Sequence, residues 1–153
     1  MANSYTQVYL MLVFAVKNRH NLITPLIENR LYPYITQLIK KREHKMLQIN
    51  GNRNHIHILI RLNPKQALSN FVKEIKSISS KFINDHQLLQ AKFKWQRGYG
   101  AFSYSHSQLD NVIRYIKNQK EHHKIKSFKT EYLELLKKYN IDYDSKYLFD
   151  FFD

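Results

Sequence analysis

Between Arg53 and Leu62 the chain reads Arg-Asn-His-Ile-His-Ile-Leu-Ile-Arg-Leu, and every even position from 56 to 62 is a large apolar residue. That alternation is the period of a β-strand, whose successive side chains leave on opposite faces. Ile56, Ile58, Ile60 and Leu62 must then face a core. His55 and His57 project together from the other face, two residues apart and within reach of a single ion. On a helix the same spacing would splay them by about 200°. Any fold open to this chain therefore contains a sheet with an apolar layer on one side and two imidazoles on the other. Taken alone, the pair also fits two histidines on a solvated sheet face. A zinc protease is disfavoured because no His-Glu-x-x-His occurs. A two-histidine phosphodiesterase is disfavoured because no paired motifs carry Thr or Ser two places after each His.

The remaining elements build a sheet around that strand. Val8, Leu10, Leu12, Phe14 and Val16 alternate as a strand, and apolar Met11 and Val13 between them predict a central one. The run is far short of the roughly 18 residues a membrane helix needs. No basic segment precedes it, and Lys17 and Arg19 follow it where a signal peptide would show a small-residue cleavage site. Thr24-Pro25 opens a helix to about Glu43, with Leu31, Ile35, Leu38 and Ile39 as its buried stripe. Met46–Ile49 and Asn54–Leu62 form a hairpin about Asn50-Gly51-Asn52. A second helix runs from Leu68 to about Asn84. A loop with Trp95, Gly98 and Gly100 leads to a strand at Ala101–Ser105, a helix capped by Ser107 to about Glu121, and a last helix over Phe128–Tyr139. The order β-α-β-β-α-β with appended C-terminal helices predicts an α+β fold, an antiparallel sheet with helices on one face and the other face free. No repeat or linker divides it, so residues 2–153 read as one domain.

Charge points to a partner class. The chain has 25 Lys and Arg against 12 Asp and Glu, a net +13. Residues 141–153 hold four acids and one Lys, which leaves 24 bases against 8 acids, or +16, on residues 1–140. Such a field captures polyanions, nucleic acid foremost. The absence of cysteine excludes disulfides and thiolate metal sites and fits a cytoplasmic protein.

On the helix after Ser107, Leu109, Val112, Ile113 and Ile116 define the buried stripe. Tyr115 and Gln119 lie one turn apart on one flank of it, extended by Asn111, Asn118 and His122. By itself this is a tyrosine sealing the rim of a core, and 11 tyrosines are present. Read together, the His-x-His strand and a Tyr-Ile-Lys-Asn-Gln helix about 60 residues later resemble the single-tyrosine HUH transposases. These comprise insertion-sequence enzymes and relatives associated with repetitive extragenic palindromes (REP). The likeness covers roughly Tyr5 to Phe149. It includes Trp95-Gln96-Arg97-Gly98-Tyr99-Gly100-Ala101-Phe102-Ser103, Val112-Ile113-Arg114-Tyr115-Ile116-Lys117-Asn118-Gln119 and Glu121-His122-His123. One departure is Asn54, where many relatives have Asp before the first histidine.

The resemblance implies Tyr115 as nucleophile and His55, His57 and Gln119 as ligands of Mg²⁺ or Mn²⁺. The implied reaction cleaves and rejoins single-stranded, hairpin-bearing DNA through a 5′-phosphotyrosine. The DNA partners would be hairpins at element ends or repetitive palindromes, bound by a homodimer with shared active sites. Lys73, Lys76 and Lys81, with aromatic residues near Trp95, are expected to contact backbone and bases. Two other readings fit parts of the pattern. One is a non-catalytic single-strand binder on the same sheet order. The other is a replication or mobilisation nuclease of the same chemistry, which usually has extra domains and a differently placed tyrosine.

Overall fold

The alternating run forms strand β3 (His55–Arg61), and it lies inside a four-stranded sheet. The computed structural model describes residues 3–17 and 21–151, so Arg19 and Asp153 fall outside the described residues. The other strands are β1 (Tyr9–Ala15), β2 (Lys45–Gly51) and β4 (Gly100–Tyr104), in the order β2-β3-β1-β4. Every neighbouring pair is antiparallel. β1 is central, as its apolar odd positions predict, and all seven of its residues are buried. The α+β expectation holds.

Register decides which residues share a face. Leu12 pairs with Ile58, which pairs with Ile49, while Val13 pairs with His57, Ala15 with His55 and Asn50 with His57. Two helices cover the even-numbered apolar side: α1 (Pro25–Lys41) and α2 (Leu68–Asp85). Thr24 caps α1 by accepting from the Ile27 N–H at 3.4 Å. Leu31, Ile35, Leu38 and Ile39 are buried as the 3.6-residue period requires. The β2–β3 turn depends on Gly51. A Cβ there would lie 2.2 Å from the His55 carbonyl oxygen, so only glycine lets β2 close onto the start of β3.

The histidine side of the sheet is not free. Helices α3 (Leu109–Lys117), α4 (Gln119–His122) and α5 (Phe128–Lys138) cover it. The reason is the apolar stripe of α5, in which Phe128, Tyr132, Leu135 and Leu136 are all buried and need a surface to bury against. Gly100 supplies part of that surface: a Cβ on it would meet the Tyr132 hydroxyl at 2.8 Å. Gln96 ties down the C-terminal segment, its Oε1 accepting from the Asp150 N–H at 2.7 Å and its Nε2 donating to the Asp150 carbonyl at 2.8 Å.

Two local expectations are corrected. A 3₁₀ turn at His106–Gln108 precedes α3, and the residue before it is Ser105, whose N–H donates to Gln108 Oε1 at 2.8 Å; Ser107 is not the cap. The helix expected to reach Glu121 breaks at Asn118. There Asn50 of β2 donates through Nδ2 to the carbonyls of Ile116 and Lys117, both at 3.0 Å. This satisfies acceptors that a helix end leaves open and pins the end of α3 to the sheet.

Candidate metal and tyrosine site

His55 and His57 leave β3 toward α3, α4 and α5 and are fully buried, with 0 % exposure each. Burial is more than bystander packing, since the His55 ring stacks on Phe128 of α5 at 3.9 Å between centroids. The break at Asn118 turns Gln119 inward, where it is also 0 % exposed. Its Nε2 donates to Glu131 Oε2 at 2.9 Å, which points its Oε1 at the Nε2 atoms of His55 (3.1 Å) and His123 (3.0 Å).

The centre of the cluster is Glu131 of α5. Its Oε1 lies 3.1 Å from His57 Nε2, 3.1 Å from His123 Nε2 and 3.5 Å from His55 Nε2. Its Oε2 accepts the Tyr115 O–H. The Tyr115 ring meets the His57 ring edge-on at 5.7 Å. All four residues expected from the motifs, Tyr115, His55, His57 and Gln119, therefore come together within one chain. His123 and Glu131 join them, and neither was assigned a role from the sequence. For Glu131 a signal existed: it occupies the i+3 place in the stripe Phe128, Tyr132, Leu135, where an acid has no reason to be unless something buried pairs with it.

Electrostatics follow from that burial. Desolvation lowers His55 from 6.5 to about 4, outweighing the attraction of Glu131. Burial alone would raise the Glu131 carboxyl, but the charge of His57 and hydrogen bonds from His123, His55 and His57 outweigh it and hold the carboxyl well below its usual range. The Tyr115 phenol is pushed upward by burial and by the neighbouring Glu131 carboxylate. Outside the cluster, His55 Nδ1 faces Asn54 Oδ1 at 2.7 Å, so Asn54 still provides an oxygen acceptor behind the first histidine. His57 Nδ1 is buried with no hydrogen-bond partner.

The donor chemistry fits a metal ion. Ligand atoms of His55, His57, His123 and Glu131 all lie within 4.8 Å of one another. Imidazole nitrogen and carboxylate oxygen are the usual donors for divalent transition metals. Two depressions approach the cluster. One of about 220 Å³ is lined by Tyr115 with Tyr104, Gln108 and Asn111, and one of about 240 Å³ by His123 with Arg53, Lys120 and Lys124. The second carries a net basic lining, although Lys120 pairs with Glu28 (2.7 Å) and Lys124 with Glu121 (3.0 Å), and such a lining suits a phosphate backbone.

Of the group expected to contact backbone and bases, Lys73, Lys76, Trp95 and the nearby Tyr99 line one depression with Arg97, but several of its members are already engaged. Trp95 is buried, donates its indole N–H to Ser79 Oγ at 3.0 Å and packs edge-on against Phe14 and Phe93. Lys76 donates to the carbonyls of Gln96 (2.6 Å) and Gly98 (2.8 Å), and Lys81 pairs with Asp85. Of the three lysines, Lys73 is exposed and has no such tether.

Comparison with known proteins bears on the family and the fold. The family model described as "Transposase IS200 like" matches residues 4–119. The ISDra2 transposase TnpA of Deinococcus radiodurans is 23 % identical over 118 residues, covering 74 % of this chain and 84 % of that protein. A crystal structure assigned as a transposase of Deinococcus radiodurans superposes with a TM-score of 0.63 at 18 % identity, over 78 % of this chain and 95 % of the other. A REP-associated tyrosine transposase bound to a REP hairpin superposes with a TM-score of 0.59 at 16 % identity, over 80 % and 73 %.

Proposed function

Because the chain belongs to the IS200-like transposase family, we propose that it cleaves and rejoins single-stranded, hairpin-bearing DNA with Tyr115 as nucleophile. The observation that carries this reading is one hydrogen-bonded group. Tyr115 donates to the Glu131 carboxylate, whose other oxygen contacts His57, with His55 and Gln119 alongside. Residues 55, 57, 115 and 119 are those the motifs singled out, and they arrive from one strand and two helices.

In the proposed step the Tyr115 oxygen forms a bond to the scissile phosphorus and the bond from phosphorus to the 3′ oxygen breaks. The phenolic proton passes to Glu131 Oε2, the acceptor already in place. The departing 3′ oxygen takes up a proton and leaves as a hydroxyl. The phosphotyrosine keeps the bond energy, so a second 3′-hydroxyl can reverse the step and join a new strand. A divalent ion held by His55, His57 and Gln119 would polarise the phosphate and neutralise charge that builds on it. Arg53, Lys120 and Lys124 would hold the backbone beside His123.

The same reading treats residues 2–153 as one HUH tyrosine transposase domain acting in the cytoplasm. No helix among the described residues is long and apolar enough to cross a membrane. Two copies would pair as a homodimer and trade α3, so that the tyrosine of one copy faces the histidines of the other. Exchange of an identical element replaces one set of contacts by an equal set, so the single-chain geometry is compatible with it. The test is to incubate the protein and a divalent ion with labelled single strands from the ends of its own locus. A covalent protein–DNA adduct that survives denaturation is expected. Absence of any adduct across hairpin-forming strands and several ions would overturn the proposal.

A further inference from the structure

His123 carries the argument. Its Nδ1 lies 2.8 Å from the backbone carbonyl of Lys126, which can only accept, so that nitrogen carries a proton and donates. Its Nε2 faces two more oxygens, Gln119 Oε1 at 3.0 Å and Glu131 Oε1 at 3.1 Å. The His123 side chain is 2 % exposed, so only a proton or a metal ion, not bulk water, can sit among these atoms. His55 repeats the pattern, with Asn54 Oδ1 on one nitrogen and Gln119 Oε1 on the other. Lone pairs that converge in a dry site need a proton or a metal ion between them, and several donors at once suit a metal ion.

The spacing suits one. Bonds of about 2.1 Å to a single ion place neighbouring ligand atoms roughly 3.0–3.4 Å apart. Five neighbouring separations among His55, His57, His123, Gln119 and Glu131 are 3.0, 3.1, 3.1, 3.1 and 3.5 Å. We infer that His123 and Glu131 complete the metal shell with His55, His57 and Gln119, and that this shell of three imidazoles, a carboxylate and an amide oxygen selects a transition-metal ion such as Zn²⁺, Co²⁺ or Mn²⁺ over Mg²⁺. The inference rests on the cluster being a metal site, as proposed above, and changes which ion it takes. Mg²⁺ keeps most of its waters and is held through oxygen, whereas imidazole suits the later divalent ions. On a six-coordinate ion five protein donors leave one position for a phosphate oxygen. Glu131 then links ion and nucleophile, one oxygen on each.

The experiment is a Co²⁺ titration of the chelator-stripped wild type, followed by its visible absorption bands, with Mg²⁺ as competitor. Co²⁺ is expected to bind at least about 100-fold more tightly than Mg²⁺. His123→Ala and Glu131→Gln should each weaken Co²⁺ by at least about the tenfold that loss of even an outer partner causes. A zinc-edge X-ray absorption spectrum of the Zn²⁺-loaded wild type, which needs no variant to fold, should show three imidazoles. Two imidazoles, or folded variants with wild-type Co²⁺ affinity, would overturn the five-donor shell while leaving the two-histidine transposase reading intact. Tight Co²⁺ binding through all five residues with no DNA adduct under any ion would do the reverse, supporting the shell and removing the proposed reaction.

Discussion

Tyr115 and Glu131, 16 residues apart and on different helices, meet in a hydrogen bond in which the phenol donates to Oε2. The same carboxylate touches the histidines through its other oxygen, so the proposed nucleophile and the proposed ligand set are one connected network. Perturbing either end should be felt at the other.

Tyr115→Phe removes a single oxygen. Adduct formation should disappear, and hairpin affinity should stay within about twofold of wild type. Glu131 Oε2 keeps its bond from Gln119, so the loss of stability should be about 1 kcal/mol. Denaturing gels and urea melts read both. An adduct that maps to another tyrosine would remove Tyr115 from the role.

Substitution of the histidines acts on fold as well as chemistry. The side chains are fully buried and His55 stacks on Phe128, so His55→Ala or His57→Ala leaves a cavity. Each should cost about 2–4 kcal/mol, in the range of other large-to-small core changes, and abolish cleavage. Chelator on the wild type should abolish cleavage and lower the melting temperature. Cleavage that persists in excess chelator would contradict a metal site.

Acid should destabilise the metal-free protein in a defined window. His55 is held at about 4 in the folded chain against its ordinary 6.5, so protonation favours the unfolded state. Its stabilising share is intact above pH 6.5 and lost as pH falls from 6.5 toward 4, about 2 kcal/mol of it by pH 5. Glu131 is depressed below 4.5, so its share is intact above that value and lost only on further acidification. Urea midpoints at pH 7.5 and 5, in chelator, measure the first effect. Equal midpoints would mean that His55 is not held neutral by burial.

Single strands able to form a hairpin should be cut, and the same sequence as a perfect duplex should not. Affinity should fall with salt at a log–log slope near −0.7 per neutralised phosphate. Equal cutting of duplex and single strand would indicate an ordinary nuclease.

Mixing the inactive His57→Ala and Tyr115→Phe proteins tests the exchange of α3. If the helix is traded, each heterodimer regains one intact site and adduct returns. Continued inactivity after demonstrated subunit exchange would assign the whole site to one chain.

Much of this site is legible in the chain because it obeys short periods. The two-residue alternation at 55–60 and the one-turn spacing of Tyr115 and Gln119 fix which side chains can share a face. The role of His123 is not legible that way, because its place depends on the break at Asn118 and on Asn50, which bonds the freed carbonyls from 66 and 67 residues away. The covering of the histidine face is hidden for a similar reason. Periodicity shows that α5 has an apolar stripe but not which surface receives it. The place of Trp95 is hidden too: the sequence puts it in a basic loop among aromatic residues, and only its bond to Ser79 reveals a core residue.

The burial of the cluster also sets a clock. His55, His57 and Gln119 are sealed at 0 % exposure beneath α4 and α5, and Phe128 lies flat on the first histidine. A phosphodiester can approach them only along the narrow depressions beside Tyr115 and His123, so turnover is expected to need some movement of the C-terminal helices. The rate of that movement is a ceiling on strand cleavage, however fast the bond exchange itself is. Substitutions that loosen Phe128, or the distant Gln96–Asp150 latch, could then speed or slow the enzyme without touching a reacting atom.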